Sequence, residues 1–278
     1  MKQTIHLEEL SWTELQDLPK EDTIIYIPIS PLEEHGPHLP IGTDLLTITR
    51  ASQDSIAALQ KKRPHTAALL HPPLPLGTAS VTTGFVGTNS TNSRTIARLL
   101  TDTITNFASH GFHYFLICTY HMDLGHLRGI YKAIAAAKRR QPHIRVAEPW
   151  ASYFHSNKAL EKEPDPGFDT TKEVHADFRE TSLMTYLYPH LVKPSYKTLD
   201  TNWTDLYSLK VLRKNLKDLG LKQGYVGTPK HANPDYGRWF YQETVDALTT
   251  AATQILSGEK VNQLPKKTKV MMKLLFWA

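Results

Sequence analysis

The chain has 278 residues, of which 40% are apolar and 21% charged, enough to bury a large core and unlike a disordered or low-complexity protein. Its 32 Lys and Arg outnumber its 27 Asp and Glu, a net charge of +5, but the basic residues are scattered rather than interleaved with aromatics, which argues against nucleic-acid binding. The lone Cys118 excludes an intrachain disulfide and a cysteine-based zinc site, and no stretch approaches the ~18 apolar residues of a membrane span, so a cytoplasmic protein with no membrane partner is expected.

In chain order, residues 23–29 form a short β-branched run that reads as a buried strand, and residues 30–44 form a Pro/Gly-rich loop. Residues 45–62 carry apolar positions at helical spacing, with Thr43 or Asp44 as the cap and Arg63-Pro64 as the stop. A strand at 67–70, a Gly/Thr/Ser/Asn loop at 78–92, a helix at 92–110 and an apolar strand at 112–119 follow. A helix at 124–140 and a strand at 144–147 complete an alternation that implies right-handed crossovers: an α/β fold with a mostly parallel central sheet covered by helices. Residues 148–172 read as loop or lid, a helix starts near His175 with Asp177 and Glu180 as its capping pair, and residues 199–212 read as loop. Next come the Gly-punctuated 224–229 and a last long helix from 234 or 235 to 256. The basic-then-apolar end, 266–278, is expected to dock on its own domain, and the chain is expected to be one domain, 1–278.

The chemistry concentrates where strands end. In extended backbone Glu33 and His35 point the same way, and Gly36, Pro37, Pro40 and Gly42 let the chain loop back to bring Asp44 to the same point. After the third strand, His121 and Asp123 repeat the two-residue spacing, and both loops fall at the carboxyl ends of strands, where such sheets bind ligands. Three carboxylates and two imidazoles suit two divalent metal ions sharing one bridging carboxylate, for which Asp44 is the choice. An all N/O donor set favours Zn²⁺, Mn²⁺ or Fe²⁺. Such a pair equips a site for hydrolysis. Each residue also has an ordinary alternative: Asp44 as a helix cap, Asp123 as a carboxylate before a helix, His121 as a buried hydrogen-bonded imidazole.

The stretch Pro31-Leu32-Glu33-Glu34-His35-Gly36-Pro37-His38-Leu39-Pro40-Ile41-Gly42-Thr43-Asp44 closely resembles the Glu-x-His-Gly-x-His-Leu-Pro-x-x-x-Asp signature of the creatininase (creatinine amidohydrolase) family. Gly84-Phe85-Val86-Gly87-Thr88, His121, and His175-Ala176 with Glu180-Thr181-Ser182 resemble further family segments in the same order. The resemblance implies an αβα sandwich, a dinuclear centre, hydrolysis of an amide-type C–N bond in a small cyclic or linear substrate, and a homo-oligomer, often a hexamer. It implies Glu33 and His121 on one ion, His35 and a second carboxylate on the other, and Asp44 on both. Asp123 stands where creatininase has a glutamate, as a shorter equivalent, and Asp177-Phe178 replaces the usual Gly-Glu. His175 resembles the family histidine that transfers a proton, Glu180 is either a cap or a metal or neighbouring contact, and His38 is expected to support the ligands. Trp150 and His155 are candidate substrate contacts. Other readings keep the dinuclear site but cleave a C–C bond of a cyclic ketone or a peptide bond, or keep the fold as a binding protein without turnover.

Overall fold

A computed structural model describes residues 5–204 and 214–274. The C-terminal part of the 199–212 loop reading and the apolar end beyond 274 lie outside the described residues. The elements in order are β1 (Ile5–His6), α1 (Trp12–Asp17), β2 (Thr23–Pro28), α2 (Thr43–Lys62), β3 (Ala67–Leu70), α3 (Ser93–Ser109), β4 (Tyr114–Cys118), α4 (Leu124–Arg140), β5 (Arg145–Ala147), α5 (Trp150–His155), α6 (Phe178–Leu187), α7 (Pro234–Leu256) and α8 (Lys266–Leu274).

The five strands form one parallel sheet in the order β1-β3-β2-β4-β5, so β2 and β4 are neighbours at its centre. All six residues of β2 are buried, as expected for a strand covered on both faces. Its alternation decides which helix each side chain meets. Ile25 and Ile27 pack with Ile96, Leu100 and Ile104 of α3 and Ile130 and Ala133 of α4, whereas Ile24 and Tyr26 pack with Ile48 and Leu59 of α2 and Leu248 and Ala252 of α7. The result is the expected three-layer αβα sandwich. Burying each of these isoleucines contributes roughly 1.5–3 kcal/mol.

Helix α2 follows from its pattern, with Ile48, Ala51, Ser55, Ile56 and Leu59 on the buried stripe. Its N-cap is Gly42, with no side-chain cap, and the Thr43 hydroxyl donates to Pro40 O at 2.7 Å. Asp44, expected as a possible cap, sits instead in the first turn with its carboxylate turned elsewhere. Met272 of helix α8 and Leu264 just before that helix dock against Leu127 of α4 and Ala151 of α5. The edge strand β1 and the capping-box helix α1 were absent from the sequence reading; they are too short to show a period.

Candidate metal centre

The register of the central strands places the site. Pro28 at the end of β2 pairs with Cys118 at the end of β4, so the segments that follow, 29–44 and 119–123, leave the sheet side by side. Glu33, His35, Asp44 and His121 are all buried, none more than 7% exposed.

Among the described residues, three overlapping groups of side chains could hold a metal ion: Glu33, Asp44 and His121; His35, Asp44 and Glu180; and Glu33, His35 and His175, the ligand atoms of each lying within 4.8 Å of one another. Glu33 Oε2 and Asp44 Oδ2 both stand 3.0 Å from His121 Nδ1. His35 Nε2 stands 3.4 Å from Asp44 Oδ1 and 3.6 Å from Glu180 Oε2. Asp44 thus faces both imidazoles, one oxygen to each.

Main-chain carbonyls fix which nitrogen each imidazole offers, because a carbonyl only accepts. His121 Nε2 donates to Thr78 O at 2.7 Å, leaving Nδ1 toward Glu33 and Asp44. His35 Nδ1 donates to Glu33 O at 3.0 Å, leaving Nε2 toward Asp44 and Glu180. This is the arrangement in which a metal-binding histidine is oriented by the hydrogen bond of its other nitrogen. Glu33 Oε2, Asp44 Oδ1 and His35 Nε2 are buried with no hydrogen-bond partner among the described residues. Buried polar atoms are almost always satisfied, so this facing set of orphans, all oxygen and nitrogen, fits divalent cations.

Electrostatics agree. Burial pushes Glu33 up, but the imidazoles of His121 and His175 outweigh it and bring its carboxyl down to about 2. Burial pushes His35 down, and Asp44 and Glu180 reverse this and raise it to about 10. His121 rises well above the usual range: Glu33 and Asp44 overcome its burial. Without metal, protons on the imidazoles balance the carboxylates.

Other expected residues fall as follows. Glu180 enters the site from α6: Asp177 caps that helix by accepting from Glu180 N at 2.9 Å, and Glu180 Oε2 accepts from Ala176 N at 2.6 Å. Burial raises Glu180 despite His35 beside it. Ala176 holds a left-handed φ of 47°, a cost of order 1 kcal/mol or more that aims His175 and Glu180 inward. His175 packs its ring 4.5 Å from that of His35. His38, fully buried, joins none of the three groups and shares a 2.8 Å hydrogen bond with Thr181 of α6.

Asp123 joins none of the three groups. It is the N-cap of α4, with Oδ1 accepting from Gly125 N and His126 N and Oδ2 from the Ser80 hydroxyl. Trp150 is 1% exposed in the core, stacked on Tyr120 and edge-on to Phe240. His155 ends α5 beside Phe154. No described contact of either residue reaches the cluster.

Two supporting groups escaped sequence reasoning. Thr82, 0% exposed, donates its hydroxyl to Glu33 Oε1 at 2.6 Å, and Thr78 supplies the carbonyl behind His121. Both lie in the 78–92 loop, whose composition and length were the available signal.

The sequence model of the Creatininase family, described as creatinine amidohydrolase, matches residues 8–252. The chain belongs to the creatininase family. A curated relative, the creatinine amidohydrolase of Pseudomonas putida, is 24% identical over 204 residues, covering 69% of this chain and 75% of its own. A solved mutant creatininase superposes with a TM-score of 0.73 at 21% identity, over 91% of this chain and 99% of its own. A solved creatininase designated Mn gives 0.67 at 20% identity, over 90% and 97%. These creatininase structures share the fold described above.

Proposed function

We propose that this chain is a metal-dependent amidohydrolase that cleaves a C–N bond in a small cyclic or linear amide. In this reading Glu33, Asp44 and His121 hold one divalent ion, and His35, Asp44 and Glu180 hold the other. The observation that carries it is the Asp44 carboxylate, whose two oxygens face the free nitrogens of His35 and His121 in a buried site with three orphaned ligand atoms. Membership of a hydrolase family and the all N/O donor set support zinc, manganese or iron there.

When bound, such ions supply Lewis acidity toward a carbonyl oxygen and bring the pKa of a water toward ~7. The chain's own residues do the rest. Buried walls exclude bulk water, Thr82 and the carbonyls behind His35 and His121 keep the donors aimed, and His175 moves the proton. Hydrolysis forms a bond from the water oxygen to the acyl carbon and breaks C–N, and the leaving nitrogen takes a proton. An imidazole whose basicity the surrounding carboxylates sustain suits that delivery. Burial lowers His175, but Glu33, Glu34 and Glu180 together raise it, to about 9 in the metal-free site. The proposal extends to one catalytic domain that self-associates as the resemblance implies.

The test is metal analysis of the purified protein with a screen of small amides and lactams. Two transition-metal ions per chain and turnover that Glu33→Gln abolishes are expected. Protein without stoichiometric metal, or turnover indifferent to Glu33→Gln, would sink the reading.

A further inference from the structure

The Gly-punctuated segment 224–228 has no part in the reaction as described, yet it backs directly onto the site. His175 and Val226 form an antiparallel bridge, with Val226 N donating to His175 O at 2.8 Å and His175 N to Val226 O at 3.1 Å. Two residues earlier, Gly224 (φ 72°) presses on the Glu34 carboxylate so closely that a Cβ at this position would overlap Glu34 Oε2. The carboxylate is gripped from the other side by Gly36 N, which donates to Oε2 at 2.9 Å, and the Glu34 main chain by Thr88, whose hydroxyl accepts from Glu34 N at 3.0 Å. One ribbon therefore seats both the backbone of His175 and the side chain of Glu34.

Glu34 meets His175 twice at the same nitrogen. His175 Nε2 is 2.8 Å from Glu34 O and 3.6 Å from Glu34 Oε1, an oxygen buried without a hydrogen-bond partner among the described residues. A carbonyl and a carboxylate both favour a hydrogen on the nitrogen they face. We infer that Glu34 is a positioning residue: its carbonyl and its carboxylate, the latter seated on bare Gly224, hold His175 with the hydrogen on Nε2, so that Nδ1 is the nitrogen that exchanges protons with the substrate. The inference rests on the hydrolase reading for the use made of Nδ1, but not for the tautomer. The proton that Nδ1 takes from the attacking water leaves from Nδ1 to the departing nitrogen, and Nε2 keeps its hydrogen throughout.

The test is long-range ¹H–¹⁵N correlation on zinc-loaded protein labelled with ¹⁵N-histidine, with the His175 signals assigned by their loss in His175→Gln. Where the ring is neutral, the Nε2–H pattern is expected. Glu34→Ala, which removes the carboxylate but leaves the backbone, should shift these signals and lower kcat about tenfold or more at unchanged metal content. Gly224→Ala should do the same by displacing the carboxylate, and Gly224→Ala combined with Glu34→Asp, which shortens the side chain by one methylene, should recover signals and turnover in part. Should Gly224→Ala not fold, Glu34→Ala decides alone. An Nδ1–H pattern overturns the inference, as do unmoved ring signals and wild-type kcat in Glu34→Ala. Absence of metal or of any amide turnover overturns the hydrolase reading instead, and the ring spectrum still reports on Glu34.

Discussion

Asp44 Oδ2 stands 3.0 Å from His121 Nδ1 although the two residues are 77 apart in sequence, joined by the pairing of β2 with β4. The other oxygen of the same carboxylate faces His35, so in the proposed two-ion reading removing its charge should affect both ions at once. Asp44→Asn is expected to reduce bound metal from two ions to fewer than one per chain and turnover by about a hundredfold or more. Elemental analysis after dialysis checks this, and retention of both ions would show that Asp44 is not shared.

Glu180 and Asp123 make opposite predictions. Glu180→Gln should lose the ion next to His35 and keep the one next to His121, whereas Asp123→Ala should keep both. Asp123 caps α4 with two backbone N–H bonds, so its replacement by alanine should instead cost about 1 kcal/mol of stability, read as a lower midpoint in urea. Loss of an ion from Asp123→Ala would restore it as a ligand.

Metal binding should be coupled to proton release. In the metal-free site His35 is raised to about 10 and His121 well above its ordinary range, so both carry protons at neutral pH that an incoming ion must displace. Apparent affinity should therefore rise with pH through neutrality, with about two protons released per loaded chain. Calorimetry in buffers of different ionisation enthalpy measures that number, and no buffer dependence would contradict it. A stability effect follows with a defined sign. The folded-state pKa values of His35 and His175 lie above their ordinary 6.5, so the stability they lend metal-free protein is complete below that pH and lost as pH climbs through about 9 and 10. Chelated protein should thus melt progressively earlier between neutral pH and pH 10.

Thr82→Val keeps the shape of the residue and removes the donor to Glu33 Oε1. Metal affinity should drop about 10–100-fold, with Tm falling by only a few degrees, because the change strikes the orientation of a ligand rather than the core. Competition with a chromogenic chelator measures the drop; an unchanged affinity would leave Thr82 as packing alone.

The sheet and its covering helices were legible because they are built from clear periods. The expected 124–140 helix and 67–70 strand match α4 and β3 residue for residue, and β2 ends one residue short of the expected run. Ile24 through Ile27 are buried on both faces of β2, which is why a continuous apolar run reads as a buried parallel strand. The site was half legible. Glu33, His35, Asp44 and His121 follow strands and converge as their spacing indicated. The two-residue argument that joined Asp123 to His121 requires extended backbone, and here α4 begins at Leu124 and turns Asp123 into its cap. Trp150 read as part of an aromatic loop, but it starts α5 and packs on Phe240 of α7, 90 residues away, a contact no local pattern encodes. Gly224 gave a turn signal and no sign of what it would touch.

Residues 33, 44 and 121 all precede the midpoint of the chain, while residue 180 lies on a helix that packs against α7, close to the C-terminal end. During synthesis, which proceeds from the N-terminus, the donors around His121 exist well before their counterpart around His35 can close. In the proposed two-ion reading, the ion beside His35 waits for the helix that carries Glu180, whereas the one beside His121 needs no donor from beyond residue 121.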